Sequence, residues 1–354
     1  AHYNDAAGTH AGAVYLILGG NIGSTTTINL SDADYIFQGE NPQAYAGYTV
    51  AAAGDVDGDG LSDILISAIG EGSYAGAIYL VLGSSIGTTN TISLANADYK
   101  FVGESAWDRA GEKGLSSAGD VDGDGLDDIL IGAYHHSGNG VQSGAGYVIL
   151  ASSLGSTTTI SLADADYKLS GQNNADYAGR EVAGAGDLDG DGLDDLVIGA
   201  AGERTNAHGA GAAYIVLGSS LGSTSNISLS AADYVLYGES AYDQAGYGVC
   251  SAGDVDGDGL SDLLVGSIGE DSGATEAGAN YLILGSSFGS SSTMILSAAD
   301  SKLLGETSQD YVGGSVCGGG DIDGDGMDDV LVGANGDDDG GNAAGAVYVV
   351  LTGG

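Results

Sequence analysis

The chain has 354 residues, of which 49 are acidic and 7 are basic, so its formal net charge is −42. This balance excludes nucleic acids and anionic membrane surfaces as partners, because both are bound through clustered Lys and Arg. The length is ample for a buried core, and no apolar stretch is long enough to span a membrane. The first residues, AHYNDAAG, lack the basic end and the apolar run of a signal peptide, so we expect a mature, processed or excised piece.

The predicted elements are strands throughout. The first is GAVYLILG from Gly12, and the second is ADYIFQGE from Ala33. The strand YTVAAAGD then leads into an acidic loop, GDVDGDGLSD at Gly54 to Asp63, and the β-branched run DILISA leaves it. Relatives of the first two strands follow as GAIYLVLG from Gly76 and ADYKFVGE from Ala97. Four strands and one acidic loop therefore form a unit.

This unit recurs along the chain. The first Asp of the acidic loop falls at 55, 120, 187, 254 and 321, which gives spacings of 65, 67, 67 and 67 residues. Four short strands in such a period indicate a β-propeller blade, whereas the rungs of the alternative, a β-helix or solenoid, are usually shorter. We predict an all-β propeller of four-stranded antiparallel blades. The predicted whole repeats are 41–104, 105–172, 173–239 and 240–306, followed by a partial repeat at 307–354.

The strand count predicts how the ring closes. The GAVYLILG type occurs six times and the other three types five times each, so one strand is in surplus. We predict five blades, with a closing segment at 21–40 in which Ala33 to Glu40 supplies the outer strand of the last blade. A fragment of a six- or seven-bladed ring is the alternative. The surplus strand in residues 1–20, near Ala11 to Leu18, either packs locally or pairs with a neighbouring molecule.

The acidic loops predict metal sites. Carboxylates at loop positions 1, 3, 5 and 9 can converge on one ion if the loop curls, and the glycines permit that curl. Hard oxygen donors in this number favour Ca²⁺; Mg²⁺ prefers fewer carboxylates, and Zn²⁺ would need His or Cys. A helix–loop–helix calcium hand needs a Glu at position 12, where these loops have apolar residues such as Ile66. The predicted carboxylate ligands are Asp55, Asp57, Asp59 and Asp63; Asp120, Asp122, Asp124 and Asp128; Asp187, Asp189, Asp191 and Asp195; Asp254, Asp256, Asp258 and Asp262; and Asp321, Asp323, Asp325 and Asp329.

A loop of this kind followed by an apolar strand and GA, and preceded by YAGY, resembles the FG-GAP repeat of integrin α-subunit propellers and their bacterial relatives. The FG element is matched by Ala46-Gly47-Tyr48, and the GAP element by GAY, GAA and GAN without the proline. The resemblance implies Ca²⁺ in the hairpin between the first two strands of each blade. It also implies a further ligand, the carbonyl of loop position 7, which is Leu61, Leu126, Leu193, Leu260 or Met327.

Five bound Ca²⁺ ions would stabilise a chain that contains 66 glycines and loses much backbone entropy on folding. Extracellular modules typically bind Ca²⁺ with a Kd on the order of 10⁻⁴ to 10⁻³ M, so such sites fill outside the cell. We therefore expect an extracellular protein, secreted or at the cell surface, that loosens in chelator.

The sequence also predicts a binding module rather than an enzyme. The five histidines lie in loops or at the N-terminus, and no Ser or Cys lies at a spacing from them that is typical of a catalytic nucleophile. The loops joining the fourth strand to the next blade each carry an aromatic residue, on the face opposite the acidic hairpins. We predict a protein or glycan ligand on this face, and the alternative is that the rings wedge between blades. The candidate ligand residues are Tyr45, Trp107, Arg109, Tyr177, Tyr242 and Tyr311.

Two functions are thus predicted. One is a calcium-dependent adhesion or ligand-binding module, and the other is a structural subunit of a surface polymer that self-associates through the surplus strand. Cys250 and Cys317 occupy equivalent places, where other repeats have Ala51, Ser116 and Ala183, which favours a small-residue role. Neighbouring repeats could bring the two thiols close enough for a disulfide, and the sequence leaves this open.

Overall fold

The computed structural model describes residues 1–22, 27–222, 224–289, 291–341 and 343–353. Residues 23–26, which belong to the predicted closing segment 21–40, lie outside the described residues, as do 223, 290, 342 and 354 in the later repeats. The described residues form six β-sheets and almost no helix. The all-β prediction is confirmed.

The strands follow the repeats. An N-terminal half-blade contains β1 (Ala13–Leu16) and β2 (Tyr35–Gln38). The first blade contains β3 (Ala46–Gly54), β4 (Asp63–Ala68), β5 (Ala77–Val81), β6 (Thr91–Ser93) and β7 (Tyr99–Val102). The second contains β8 (Leu115–Gly119), β9 (Asp128–Gly132), β10 (Ala145–Ile149), β11 (Thr159–Ser161) and β12 (Tyr167–Ser170). The third contains β13 (Val182–Gly186), β14 (Asp195–Ala200), β15 (Ala212–Val216), β16 (Asn226–Ser228) and β17 (Tyr234–Tyr237). The fourth contains β18 (Ala245–Gly253), β19 (Asp262–Ser267), β20 (Ala279–Ile283), β21 (Thr293–Ile295) and β22 (Ser301–Leu304), and the last contains β23 (Val312–Gly320), β24 (Asp329–Ala334) and β25 (Ala346–Val350).

The helical segments are single turns in the connections. Glu71–Tyr74 is a four-residue helical segment, and the others are three-residue 3₁₀ turns. These are Gly19–Asn21, Leu30–Asp32, Gly83–Ser85, Leu94–Asn96, Ala151–Ser153, Leu162–Asp164, Gly218–Ser220, Leu229–Ala231, Gly285–Ser287 and Leu296–Ala298. Within the described ranges, none of the helices has the length and apolarity that crossing a bilayer requires.

Each complete blade is an antiparallel meander of the four predicted strand types. In the first blade the order is β3-β4-β5-β7, with β3 as the inner strand and β7 as the outer strand. The pairing register repeats between blades: Ala77 faces Val102 in the first, and Ala145 faces Ser170 in the second. The periodic sequence therefore produces periodic strand pairing.

A fifth, short strand joins each complete blade except the fourth to its neighbour. The connector of the following repeat adds in parallel to the outer strand, so that β11 pairs with β7, β16 with β12 and β21 with β17. In the same way β6 pairs with β2 of the half-blade. The four predicted strand types do not include these Ser/Thr/Gly segments, which join the third strand of a repeat to its fourth. Their recurring pattern, TIS in β6 and β11, was the available signal, and the pairing covers an otherwise open sheet edge.

The predicted closure of the ring is wrong. β2 pairs with β1, with Ala13 facing Gln38, and among the described residues β25 pairs only with β24. Ala33 to Glu40 therefore does not complete the last blade, and Ala11 to Leu18 does not form an isolated surplus strand. Pairing β2 with its neighbour in sequence closes a much shorter loop than pairing it with the far end of the chain, and it reproduces the register of the other blades. The five repeats fit a propeller, but no closed ring is seen in the described residues.

The core lies between consecutive blades. Leu65, Ile78 and Leu80 of the first blade pack against Ile131 and Tyr147 of the second. The Tyr on the third strand of each complete blade is fully buried or nearly so: Tyr79, Tyr147, Tyr214 and Tyr281. Such large buried side chains dominate the apolar area that holds neighbouring blades together.

Glycine is required where two blades meet. Gly12 has φ +86°, and a Cβ atom there would lie 2.2 Å from the Ala46 carbonyl oxygen. The two residues form an isolated parallel bridge, which Gly144 and Ala178 repeat further along the chain. At these glycines the backbone of one blade thus approaches the next blade so closely that no larger residue fits.

Candidate metal centres

Each acidic loop is the tight hairpin between the inner strand of a blade and its second strand. In the first blade β3 ends at Gly54 and β4 begins at Asp63, so loop positions 1 to 9 are Asp55 to Asp63. Gly58 and Gly60 both have positive φ, at +75° and +84°, and they turn the chain back on itself. The curl that the sequence predicts is therefore present.

Three carboxylates converge in the loops. In the first loop, oxygen atoms of Asp55, Asp57 and Asp63 all lie within 4.8 Å of one another. The same arrangement of positions 1, 3 and 9 occurs in Asp120, Asp122 and Asp128; in Asp187, Asp189 and Asp195; and in Asp254, Asp256 and Asp262. The position-5 carboxylate, Asp59 in the first loop, is not part of this group, and its Oδ1 accepts from Leu61 N at 2.8 Å. The structure thus brings together three of the four predicted carboxylates.

The carboxylate at position 1 organises the loop backbone. Asp55 Oδ1 accepts hydrogen bonds from Gly58 N at 2.9 Å and Asp59 N at 3.1 Å, and its Oδ2 accepts from Gly60 N at 2.9 Å. The corresponding three bonds are made by Asp120, Asp187, Asp254 and Asp321. All five loops, the last included, therefore share one conformation.

The carboxylate at position 9 is buried and joins the loop to the end of the third strand. Asp63 Oδ2 accepts from Val56 N at 2.9 Å, and its Oδ1 accepts from Gly83 N at 2.7 Å. The position-9 aspartates are at most 1% exposed: Asp63, Asp128, Asp195, Asp262 and Asp329. Burial raises the pKa of Asp128 and of Asp195 to about 7, although the backbone bonds oppose this shift. A cation beside these groups would offset the cost of keeping them ionised.

Neighbouring loops contact each other, which the sequence analysis missed. Asp127, at position 8 of the second loop, accepts from Asp55 N of the first loop at 2.7 Å, and its own amide donates to the Asp55 carbonyl at 3.1 Å. Asp194 and Asp328 make the same carboxylate contact with Asp120 and Asp254. The fourth loop has Ser at position 8 and differs, since Ser261 makes only the backbone bond, to the Asp187 carbonyl. The choice between Asp and Ser at position 8 was the available signal.

The donor set fits a hard divalent cation. Every converging atom is a carboxylate oxygen, and no His or Cys belongs to these groups. Ca²⁺ takes six to eight such donors and tolerates irregular geometry, so three carboxylates leave room for carbonyl oxygen and water. Residues at positions 1, 3 and 9 would hold the ion.

The predicted ligand residues lie at the opposite end of the strands, and they occupy two different positions. Trp107 and Tyr242 precede a buried Asp and are 59% and 65% exposed. Tyr177 and Tyr311 follow this Asp, Tyr45 follows Ala44 at the equivalent position, and all three are half-buried. Arg109 shares this second position, and its Nη1 pairs with Glu112 Oε1 at 3.2 Å. All six residues have positive φ.

Aromatic rings contact each other on this face. Trp107 stacks on Tyr74 of the preceding blade, with ring centroids 4.7 Å apart and planes inclined by 8°. Tyr242 lies 5.1 Å from the ring of His208. The half-buried tyrosines thus fit the alternative prediction, in which the rings wedge between blades. Trp107 and Tyr242 are instead exposed to solvent.

A buried aspartate shapes these loops and was not identified from sequence. Asp108 Oδ2 accepts from Ser105 N at 3.0 Å, and Asp176, Asp243 and Asp310 make the equivalent bond. Each is at most 3% exposed. The recurring Asp in SAWD, NNAD, SAYD and TSQD was the available signal.

His136 is buried rather than solvated. Its Nδ1 lies 2.8 Å from Asp108 Oδ2, and its Nε2 lies 3.1 Å from Lys168 Nζ. Glu104 completes a group that could hold a metal ion. The Lys168 ammonium already pairs with Glu104 at 2.6 Å, so a cation is present at this position. In the first and fourth blades Lys100 and Lys302 each bridge two glutamates in the same way.

These observations define a class: an all-β repeat protein of propeller type, with an acidic hairpin between the first two strands of each blade. The FG-GAP repeat matches residues 46–81, 115–149, 178–216, 245–283 and 312–350, which together are more than half of the chain. The chain belongs to the FG-GAP repeat family.

Integrin α-subunits are among the similar proteins. Integrin alpha-PS5 of Drosophila melanogaster is 32% identical over 179 residues, which are 48% of this chain and 16% of that protein. Integrin alpha-5 of Xenopus laevis is 33% identical over 203 residues, 52% of this chain and 18% of that protein. Integrin alpha pat-2 of Caenorhabditis briggsae is 28% identical over 284 residues, 77% of this chain and 21% of that protein. The chain thus spans about a fifth or less of the length of these relatives.

Proposed function

We propose that the chain is an extracellular, calcium-binding adhesion or ligand-binding module. The observation that carries the calcium part is the convergence of three carboxylates in the first four acidic loops, with one of them buried. Adhesion is the function suggested by the similarity to integrin α-subunits. An extracellular location is part of the proposal because extracellular modules typically bind Ca²⁺ with a Kd on the order of 10⁻⁴ to 10⁻³ M, a concentration that is reached outside the cell.

Calcium would act on the fold rather than on a reaction. The position-1 carboxylate fixes the loop backbone, and the position-9 carboxylate ties the hairpin to the third strand. An ion held between them would stabilise the folded state by mass action, because the extended chain has no such cage. The Asp127 contact to the neighbouring loop would pass this stabilisation from one blade to the next.

Calcium titration tests the first half of the proposal. We expect isothermal titration calorimetry of the full chain to show five sites, and EDTA to lower the Tm. Replacing Asp55, Asp120, Asp187, Asp254 and Asp321 together by Asn should abolish binding. A Tm that is the same in 10 mM CaCl₂ and in EDTA would contradict the proposal.

The ligand would bind on the face that carries Trp107 and Tyr242. Exposed aromatic rings are frequent anchors of protein and glycan contacts. We propose to probe immobilised glycans and extracellular-matrix proteins with the wild-type chain in calcium. Trp107→Ala with Tyr242→Ala should remove binding and leave the Tm unchanged. A matched control, Val141→Ala, removes an exposed apolar side chain from another loop and should leave binding intact.

The alternative function is a polymer formed by donation of β1 to a neighbouring molecule. In this structure β1 has a partner within its own chain. β1 is already paired with β2, so Ala11 to Leu18 is not free to leave without breaking the half-blade. Light scattering in calcium separates the two functions. A monomer of about the chain mass supports the module, and concentration-dependent polymers that disappear on deletion of residues 1–20 would support the subunit.

A further inference from the structure

The two cysteines occupy the same position in neighbouring inner strands. Cys250 lies in β18 and Cys317 lies in β23, and these are the only cysteines of the chain. The equivalent residues of the first three blades are Ala51, Ser116 and Ala183. The junction between the fourth and last blades is therefore the one junction whose sequence supplies two thiols.

Contacts on both sides of the cysteines set them beside each other. A Cβ atom on Gly248 would lie 3.4 Å from Val316 Cγ2, and one on Gly318 would lie 3.0 Å from the carbonyl oxygens of Ser251 and Ala252. On β18, Cys250 lies between Gly248 and Ser251. On β23, Cys317 lies between Val316 and Gly318, so the same two contacts flank both cysteines. The interaction between the two thiols lowers the pKa of Cys317 and, together with burial, raises the pKa of Cys250.

The pair is accessible from one side. Cys317 is exposed and Cys250 is half-buried, and both thiols are free in this structure. A small disulfide in solution can therefore reach Cys317 first. The thiol with the lower pKa is the better nucleophile at neutral pH, because the thiolate is the attacking species.

Within the described residues, the last blade packs against another blade on one side only, through β23 and β18. Val347 and Val349 are 71% and 52% exposed, whereas the equivalent Ile78 and Leu80 of the first blade are fully buried under the next blade. The last blade also lacks an outer strand in the described residues. A crosslink from β23 to β18 would strengthen the junction at which this blade packs against the fourth blade.

We propose that Cys250 and Cys317 form a disulfide that fastens the last blade to the fourth. The Cys317 thiolate attacks one sulfur of a low-molecular-weight disulfide such as oxidised glutathione, forms a mixed disulfide and expels one glutathione thiolate. Cys250 then loses its proton and attacks the Cys317 sulfur, which releases the second glutathione. Two protein thiols are oxidised, and one oxidised glutathione is reduced to two molecules of glutathione.

The crosslink closes a loop of about 70 residues, and the chain-entropy argument then gives a rise in Tm of about 6 °C if the chain unfolds cooperatively. The full chain, kept in calcium, is equilibrated with oxidised glutathione or with a phosphine reductant. Thiols are counted after alkylation, and non-reducing peptide mapping identifies linked peptides. We expect no free thiol and a Cys250–Cys317 peptide in the oxidised sample, and two free thiols in the reduced sample.

Variants separate the crosslink from the loss of a side chain. Cys250→Ser with Cys317→Ser should have one Tm under both conditions, near that of the reduced wild type. Ala51→Cys in the Cys317→Ser background separates the thiols by three blades and should give no intramolecular crosslink. Two free thiols, or a disulfide between two chains, after equilibration of the wild type with oxidised glutathione would overturn the proposal. An oxidised wild type with a Tm no higher than the double variant would overturn the anchoring role.

Discussion

Replacing a single position-3 aspartate should separate ion binding from folding. Asp189 is exposed, and its Oδ1 accepts one loop bond, from Asp191 N at 3.1 Å. Asp189→Asn keeps an acceptor for this bond but removes one charged ligand of the third loop. In EDTA the substitution should therefore change the free energy of unfolding by less than about 0.5 kcal/mol, as surface substitutions usually do.

In calcium the same substitution should be costly. A site filled at 100 times its Kd contributes about 2.7 kcal/mol to stability. An unfolding entropy of about 2.1 cal/mol/K per residue gives roughly 0.74 kcal/mol/K for the chain, so loss of one site should lower the Tm by about 4 °C. With a Kd of about 10⁻⁴ M, a calcium concentration of about 10 mM satisfies the condition.

Differential scanning calorimetry in 10 mM CaCl₂ and in EDTA is the assay. Asp164→Asn is a matched control, because Asp164 is an exposed aspartate outside the acidic loops and loses the same charge. We expect a calcium-dependent decrease in Tm for Asp189→Asn and none for Asp164→Asn. The reasoning is refuted if the two variants have the same Tm in both buffers while the wild type binds calcium.

Three further predictions follow from contacts in the blades. Asp127→Ala removes the acceptor of Asp55 N and should cost about 1–2 kcal/mol in urea unfolding, whereas Ser261→Ala, whose side chain makes no such bond, should cost less than about 0.5 kcal/mol. Gly132→Ala would put a Cβ atom 2.0 Å from the Gly179 carbonyl oxygen, so we expect loss of soluble protein, while Gly146→Ala, with 3.6 Å to its nearest neighbour, should fold normally. Burial raises the pKa of Glu181 to about 7 from its ordinary 4.5, so this group favours folding fully below pH 4.5 and loses that contribution as the pH rises through 7. Glu181→Gln should therefore raise stability at pH 8 by about 1 kcal/mol and leave it unchanged at pH 4, which denaturation at the two pH values measures.

The acidic loops were the most predictable part of the site. The spacing of Asp55, Asp57 and Asp63 within a Gly-rich hairpin defines the convergence, because all of its determinants are local. Asp59 shows the limit of this argument. Its place in the sequence suggests a metal ligand. Only the tertiary structure shows that its carboxylate accepts a hydrogen bond from the Leu61 amide instead.

Contacts between repeats were much less predictable. The bond from Asp127 to Asp55 joins residues 72 positions apart, and the pairing of β11 with β7 joins two blades. The sequence marks each contact only by residues that recur between repeats and does not show their partners, since these depend on how far the blades rotate against one another. Burial of Asp108 and His136 has the same origin, because the surfaces that cover them come from neighbouring elements.

The sequence by itself determined the repeat length, the four strand types and the acidic hairpins, because hydrophobic alternation and turn residues act over a few positions. The tertiary structure alone decided which strand β2 pairs with, which aromatic rings reach solvent, and that the two cysteines lie on contacting inner strands. These outcomes depend on competition between distant partners for the same edge or surface, and such competition is settled by packing in three dimensions.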